Sequence, residues 1–261
     1  MAGNLPAAMT KLSVVVITYN EAPNIARCLQ SVQGIADDIV VVDSYSEDAT
    51  CQIAREQGAR VIEHPFEGHI EQKNWAITQA QYPHILSLDA DEALDEKLKE
   101  SVAEIKNNWE APGYYVNRLT NYCGTWIRHG TWYPDRKLRL WDSRKGAWGG
   151  QNPHDRFILH KPARTPALKG NLLHYSFNSV EDLKRQIELF TNISSKAAFE
   201  NGNHSGYLHR MVKPAFKFVK SLLLKRGFLD GKAGWEIALH SARYTYLKYT
   251  KLHRLQREKR A

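Results

Sequence analysis

Residues 13–18 read SVVVIT, a short run of mainly β-branched residues that leads into the polar residues YNE at 19–21. A strand covered on both faces has this composition, because each face needs apolar side chains. The same composition recurs in residues 38–42 (DIVVV), 59–63 (ARVIE) and 84–88 (HILSL). The sequence therefore predicts four short parallel strands.

The segments between these runs have the spacing of amphipathic helices. Apolar residues recur three or four positions apart in residues 22–33, 47–57 and 70–80. Gly34 and Gly58 stand where the C-terminal caps of the first two helices belong. Strands that alternate with helices form a mainly parallel, Rossmann-like sheet flanked by helices. We predict this α/β architecture for residues 11–105.

After residue 106 the pattern changes to short, extended pieces rich in aromatic residues, at 113–119, 137–141 and 156–160. Such pieces indicate added or antiparallel strands, which in an open α/β sheet often build the acceptor side of a cleft. We therefore predict one domain over residues 11–178, with its second half at 106–178. Residues 179–261 return to helical spacing and form a predicted C-terminal helical extension.

Basic residues concentrate in this extension. Residues 206–261 hold 14 Lys and Arg against 3 Asp and Glu, whereas the first 205 residues hold 22 against 25. Helices with apolar stripes and basic flanks bind anionic membranes. We therefore expect a peripheral protein on the inner face of the cytoplasmic membrane. The alternative is that the stripes pack on the domain at residues 11–178. We do not expect nucleic acid as a partner, because no recognisable nucleic-acid-binding module accompanies the basic tail.

The bulk composition bounds the class of protein. A chain of 261 residues with 43% hydrophobic residues can form one large domain with an appended element. Cys28, Cys51 and Cys123 form neither a CxxC pair nor an even set, which argues against a zinc site or a disulfide framework. The first ten residues lack the pattern of a signal peptide, and no apolar run is long enough to cross a bilayer. We expect a cytoplasmic protein.

Two carboxylates follow the fourth predicted strand. Asp89 and Asp91 are two positions apart, so in an extended segment both face the same way and can approach one hard cation, Mg²⁺ or Mn²⁺. Ligands of open α/β sheets bind beyond the carboxyl ends of the strands, where this pair stands. The chain lacks GxGxxG and GxxxxGK(S/T) loops, which argues against dehydrogenases and P-loop enzymes. The alternative is that the pair caps a helix that opens near Asp95.

Four motifs occur in one order: VVVITYNEAPNIARCLQSV at 14–32, IVVVDSYSEDAT at 39–50, QKNWAI at 72–77 and ILSLDADE at 85–92. Their order and spacing closely resemble those of the family 2 glycosyltransferases of GT-A fold. The resemblance implies an inverting enzyme that takes a sugar from a nucleotide-sugar donor, with Mg²⁺ or Mn²⁺ as its cofactor. Residues 11–178 would then be the catalytic domain, with its nucleotide-sugar half at about 11–105 and its acceptor half at about 106–178.

By this resemblance the first three motifs supply the nucleotide-binding residues Thr18, Glu21, Asp43 and Lys73. The Asp43 carboxylate would accept a hydrogen bond from a uracil ring N–H. Each residue also has an ordinary structural interpretation. Thr18 would end a strand, Glu21 would be a first-turn acid of a helix, Asp43 would cap a turn, and Lys73 would be a solvated helix residue.

The fourth motif implies the metal site. Asp91 would be the principal ligand and Asp89 would assist it, while Asp89 and Ala90 would also contact the nucleotide sugar. Inverting transfer also needs a base that takes the proton of the acceptor hydroxyl, and an Asp or Glu near the donor carbon is the usual type. The candidate is Asp155, in the segment GGQNPHD at 149–155.

This segment, with DRKLRLW at 135–141 and LHYS at 173–176, resembles the bacterial lipopolysaccharide-core β-1,4-glucosyltransferase group within family 2. In that group the pair at His154 and Asp155 usually reads His-Glu, and the shorter Asp reduces the reach of the base by one methylene. His154 is a candidate metal or phosphate contact, and Arg139 is a candidate contact for a phosphate or an acceptor anion. The alternatives are a buried, hydrogen-bonded His and an Arg paired with Asp142 or Asp135.

Together these features predict a metal-dependent, inverting hexosyltransferase. Its donor would be UDP-glucose, and its acceptor would be a heptose or similar sugar of a lipopolysaccharide core or another lipid-linked sugar. One alternative is a family 2 enzyme that loads a polyprenyl phosphate or builds another surface glycan. A second alternative is a nucleotide-sugar-binding protein without catalysis.

Overall fold

The computed structural model describes residues 9–151 and 154–259. The strands are β1 Leu12–Thr18, β2 Asp38–Asp43, β3 Arg60–Glu63, β4 His84–Asp89, β5 Glu92–Leu94, β6 Gly113–Tyr122, β7 Thr125–Trp126, β8 Asp135–Asp142, β9 Gly146–Gln151, β10 His154–Leu159 and β11 Ala167–Phe177. The α-helices are α1 Ile25–Ser31, α2 Thr50–Glu56, α3 His69–Thr78, α4 Glu96–Asn107, α5 Val180–Glu200, α6 Tyr207–Val219 and α7 Gly231–Glu258. Short 3-10 turns lie at Ser143–Lys145 and Gly227–Asp230, and a π-helical turn lies at Lys220–Leu224.

The chain forms two compact units. The first unit runs up to residue 118 and continues over residues 135–174, and the second comprises residues 119–134 and the chain from 175 onward. The predicted domain boundary at residue 178 stays a prediction.

The four predicted parallel strands lie side by side and form one half of the main sheet, with β3 at its edge. β1 pairs in parallel with β2 and with β4, and β2 pairs in parallel with β3. β8 joins β4 in antiparallel orientation, and β6 joins β8 in the same way. The strand order is β3-β2-β1-β4-β8-β6-β11-β5, while β9 and β10 form a separate antiparallel hairpin. The predicted α/β fold is therefore confirmed.

Side chains of β1 alternate between two hydrophobic cores. Val14 and Val16 lie in one core together with Leu29 of α1, whereas Val15 lies in the other together with Ala76 of α3. Both faces of the strand are buried, which is why its sequence is a continuous apolar run. Helices on both faces of the sheet leave the carboxyl ends of β1, β2 and β4 as the edge where polar residues can collect.

The second unit has its own core, formed by residues from both of its chain segments: Tyr122, Ile127, Phe177, Leu183, Ile187 and Ile237. Helix α5 begins with a capping box in which the Ser179 hydroxyl accepts from the backbone N–H of Asp182. The predicted last helix, at about 235–255, extends over Gly231–Glu258. Among the residues that the structure describes, no helix combines the length and the apolar character needed to cross a membrane.

Candidate functional site

Asp89 is the last residue of β4, and Asp91 lies in the turn between β4 and β5. Helix α4 is capped by Asp95, whose carboxylate accepts from the backbone N–H of Leu98 at 2.8 Å. The alternative that the acidic pair caps this helix is therefore wrong. The carboxylates of Asp89 and Asp91 are left for other contacts at the end of β4.

Asp89 contacts two buried cations. Arg139 Nη2 on β8 lies 2.8 Å from its Oδ2 atom, and Lys73 Nζ on α3 lies 3.1 Å from its Oδ1 atom. Burial raises the pKa of the Asp89 carboxyl, but the charges of Arg139 and Lys73 outweigh burial and hold this pKa well below its ordinary value. Asp89 is therefore ionised and held in one place.

Arg139 ties this turn to β5 through Glu92. The same Nη2 atom lies 2.9 Å from Glu92 Oε1, and Glu92 Oε2 accepts from the backbone N–H of Asp89 at 2.9 Å. Burial lowers the pKa of Arg139, but the charges of Asp89 and Glu92 raise it above its ordinary value. The alternative pairing of Arg139 with Asp142 or Asp135 is wrong. The sequence interpretation missed Glu92, although it belongs to the DADE motif.

Asp91 faces an imidazole rather than a lysine or an arginine. His174 Nε2 on β11 lies 3.1 Å from Asp91 Oδ2. Burial raises the pKa of Glu21, and the charge of Asp91 raises it further, so these two carboxylates lie near each other. Burial also raises the pKa of the Cys28 thiol, and the charge of Glu92 and of three further carboxylates adds to the effect. Negative charge thus accumulates beside Asp91.

Asp91 and His174 are the residues best placed to hold a divalent cation. Mn²⁺ accepts carboxylate oxygen and imidazole nitrogen, and Mg²⁺ is usually bound by one or two protein ligands together with substrate phosphates. Among the described residues, no group of three or more His, Cys, Asp or Glu side chains is arranged to hold a metal. The two side chains therefore fit a metal whose other ligands come from a substrate and water. The sequence analysis did not predict this role for His174, although the residue belongs to the LHYS motif.

Lys73 joins Asp89 to the proposed base. Its Nζ atom lies 2.8 Å from Asp155 Oδ2 and 4.6 Å from the centre of the Trp148 ring. Lys73 is only 5% exposed, so the alternative of a solvated helix residue is wrong. Two carboxylates, both from predicted site residues, therefore share one buried ammonium group.

Helix α3 also fixes the β9–β10 hairpin that carries Asp155. The Asn74 side-chain amide donates to the backbone carbonyl of Trp148, and the Trp148 backbone N–H donates to the side-chain Oδ1 atom of Asn74, each at 2.9 Å. The ring of Phe157 stacks on Trp141 at 4.1 Å, beneath the hairpin. The side chain of His154, predicted as a metal or phosphate contact, lies outside the described residues.

A cavity of about 440 Å³ opens beside Asp155. Its charged lining residues are Lys73, Asp89, Arg118, Arg136, Lys137, Arg139, Asp155 and Arg156. Tyr115, Leu138, Trp148 and Phe157 complete the wall. The cavity therefore brings the proposed base, one carboxylate of the acidic pair and six basic groups to the same space.

The predicted nucleoside-binding residues lie at the ends of β1 and β2. The Thr18 hydroxyl is buried without a hydrogen-bond partner among the described residues, and such a group calls for a further ligand. Asp43 is fully buried and accepts from the backbone N–H of Ser46 at 2.7 Å, so it does cap a turn. Its proposed contact with uracil stays a prediction. Ala90 is buried in the core beside α1.

The chain is similar in sequence to known glycosyltransferases. The sequence model described as Glycosyl transferase family 2 matches residues 13–168. A protein described as an uncharacterized glycosyltransferase of Rickettsia typhi is 27% identical over 97% of this chain and 90% of its own length. The lipopolysaccharide core biosynthesis glycosyltransferase LpsC of Rhizobium meliloti is 25% identical over 93% of this chain and 92% of its own length.

A similar solved structure is the mannosyltransferase PcManGT of Pyrobaculum calidifontis, in complex with GDP-Man and Mn²⁺. Its TM-score is 0.57 at 15% identity, with 95% of this chain and 88% of that chain covered. At this identity the similarity concerns the fold.

Proposed function

Because the chain belongs to glycosyl transferase family 2, we propose that it transfers glucose from UDP-glucose, with inversion, to a heptose or similar sugar of a lipopolysaccharide core. The observation that carries this proposal is the contact series from Asp155 through Lys73 to Asp89, with Asp91 in the same turn. It brings the candidate base to the carboxylates that follow β4. The similarity to LpsC supports the class of acceptor.

The donor would bind along the ends of β1, β2 and β4. Thr18 and Asp43 would contact the nucleoside, and Asp89 and Ala90 the sugar. Asp91 and His174 would hold Mg²⁺ or Mn²⁺, which supplies positive charge to the diphosphate as it leaves. The negative charge around Asp91 supports a bound cation there, since no lysine or arginine forms a salt bridge with this carboxylate in the described part of the chain.

Asp155 would take the proton of the acceptor hydroxyl. As the acceptor oxygen forms a bond to the donor carbon, the bond from that carbon to the diphosphate breaks, and the proton passes to the Asp155 carboxylate. Lys73 holds this carboxylate at 2.8 Å and fixes its direction. The same ammonium group lies 3.1 Å from Asp89, so it links the proposed base to the end of β4.

A turnover assay tests the proposal. UDP release from UDP-glucose, with a core-oligosaccharide acceptor and Mn²⁺, should fall by about 10²-fold or more in Asp155→Asn and in Asp91→Asn. Asp155→Asn should retain UDP binding, whereas Asp91→Asn should lose the metal-dependent part of it. The exposed Glu47→Gln serves as a matched control. Near-normal turnover in either site variant would remove that residue from its role.

The same assay decides between the alternatives. A family 2 enzyme that loads polyprenyl phosphate or builds another surface glycan would release UDP only with that acceptor. A nucleotide-sugar-binding protein without catalysis would bind UDP and release none from UDP-glucose with any acceptor.

We further propose a peripheral location on the cytoplasmic face of the membrane, where a lipid-linked acceptor is found. Support comes from α6 and the turns that follow it, which expose large apolar side chains: Leu208, Met211, Val212, Phe216, Val219, Leu223, Leu224, Phe228 and Leu229. Residues 201–229 contain no Asp or Glu, and Lys213, Lys220, Lys225 and Arg226 stand among these apolar residues. An exposed apolar face with basic flanks suits an anionic bilayer.

Flotation with anionic vesicles at low salt tests this location. The full-length protein should float with the vesicles, and the double variant Leu223→Ser with Leu224→Ser should bind at least about tenfold more weakly, because both side chains are exposed. Leu189→Ser removes a similarly exposed leucine from α5 and should change little. Absence of binding by the unmodified protein would contradict the proposal without affecting UDP release.

A further inference from the structure

The cavity beside Asp155 has more basic groups than its own acids neutralise. Arg118 and Lys137 both pair with Asp135, at 2.8 Å and 3.2 Å. The side chains of Arg136 and Arg156, by contrast, have no ion-pair or hydrogen-bond partner among the described residues. Two guanidinium groups at the wall of one cavity are thus available to a ligand.

A deeply buried arginine also lines this cavity. Arg139 is 3% exposed, and its Nε and Nη1 atoms are buried without hydrogen-bond partners in the described part of the chain, although its Nη2 atom binds two carboxylates. The indole N–H of Trp148 is also buried without a hydrogen-bond partner among the described residues. Buried donors are nearly always satisfied, so unpaired N–H groups at a cavity point to a ligand that accepts hydrogen bonds.

The charge and the donors together favour a phosphate group. A guanidinium group presents its N–H donors in a planar fork that matches the oxygens of a phosphate, and charge-assisted hydrogen bonds of this kind are about twice as strong as neutral ones. A phosphate monoester carries up to two negative charges and three acceptor oxygens, so it can engage several guanidinium groups at once. A neutral sugar hydroxyl would leave the charge of these groups unmatched.

The position of the cavity favours the acceptor over the donor. Its wall comes from α3, β4, β6, β8, β9 and β10, and it includes Asp155, whose proposed task is to take the acceptor proton. Of the residues assigned to the donor, Lys73 and Asp89 belong to this wall, whereas Thr18, Asp43 and Asp91 do not. We propose that the cavity binds a phosphate group carried by the acceptor sugar, through Arg136, Arg156 and the free N–H groups of Arg139. This inference rests on the proposed function, because Asp155 identifies the acceptor side.

Ligand binding without turnover tests the inference. Glucose 6-phosphate and glucose serve as probes in ligand-observed NMR titrations of the full-length protein. The phosphorylated sugar should bind at least about tenfold more tightly than glucose, and the double variant Arg136→Gln with Arg156→Gln should lose most of that preference. Arg55→Gln, which removes an exposed arginine from α2 outside the cavity, should keep it. Equal affinity for the two sugars would overturn the inference.

UDP binding in the presence of Mn²⁺ separates acceptor from donor. The double variant should bind UDP as the unmodified protein does. If UDP binding falls as much as glucose 6-phosphate binding, the anion is the donor diphosphate and the inference is wrong. If no acceptor supports UDP release but glucose 6-phosphate binding still depends on the two arginines, the proposed function fails while the phosphate site stands.

Discussion

Arg139→Met removes one guanidinium group that the buried Glu92 and the half-buried Asp89 share. Arg139 and Glu92 are 3% and 1% exposed, and the arginine contacts both Glu92 and Asp89 at under 3 Å. Removing one partner of a buried ion pair typically costs about 3–5 kcal/mol, because an uncompensated charge stays buried. Lys73 still lies 3.1 Å from Asp89, and Arg118 lies 3.7 Å from Glu92. We therefore expect the variant to lose about 3 kcal/mol of unfolding free energy, near the lower end of this range.

The loss should depend on pH. In the unmodified protein the pKa of Asp89 is lower when folded than when unfolded, so its contribution to stability is present above about pH 4 and is lost as the pH falls through the folded pKa. In Arg139→Met, burial continues to raise the pKa of Asp89 while its strongest counter-charge is gone. Protonation of Asp89 then removes the uncompensated charge. The deficit in the unfolding free energy of the variant should therefore be smaller at pH 5 than at pH 7.

Urea unfolding at pH 7 and pH 5 measures both effects. Arg254→Met is the matched control, because Arg254 pairs with Glu258 on the exposed surface of α7, where such pairs contribute little. A deficit below about 1 kcal/mol at pH 7, or one of equal size at both pH values, would show that Arg139 does not balance buried negative charge.

Three further predictions concern stability. Gly170→Ala should cost about 2–4 kcal/mol in urea unfolding, because Gly170 has φ +92° and a Cβ atom there would meet the backbone nitrogen of Leu98; an unchanged midpoint would contradict this. Asp95→Ala should cost about 1–2 kcal/mol by removing the cap of α4, whereas the exposed Glu96→Ala should cost less in the same assay. Burial raises the pKa of Asp37, but hydrogen bonds from two lysines lower it to about 2. The difference in stability between the unmodified protein and Asp37→Asn should therefore be greatest above about pH 4 and vanish below about pH 2 in thermal unfolding. A difference that does not change with pH would show that the ionised Asp37 is not its cause.

The sheet was predictable because its strands are coded locally. A strand buried on both faces needs an apolar run, and SVVVIT shows it without reference to the rest of the chain. The family motifs also pointed to Lys73 and Asp155, which lie 2.8 Å apart in the structure. Each of these inferences uses neighbouring residues or a known pattern.

The partners within the site could not be predicted in the same way. Lys73 and Asp155 are 82 positions apart, and nothing in either segment shows that α3 packs beside the β9–β10 hairpin. Arg139 finds Asp89 only because β8 adds to β4 in antiparallel orientation. Glu92 lies on β5, a short strand that the apolar pattern does not indicate, and it is buried because β5 pairs with β11. Long-range strand pairing decides these contacts, and the local sequence does not record it.

The two hydrogen bonds between Asn74 and Trp148, with the salt bridge from Lys73 to Asp155, have a consequence for protein engineering. Consecutive residues of one helix hold both strands of the hairpin. A hairpin transplanted from a relative would therefore dock in register only if positions 73 and 74 came with it. Helix α3 and the hairpin should therefore be exchanged together, and chimeras that cut between them should misplace Asp155, the proposed base, even when they fold.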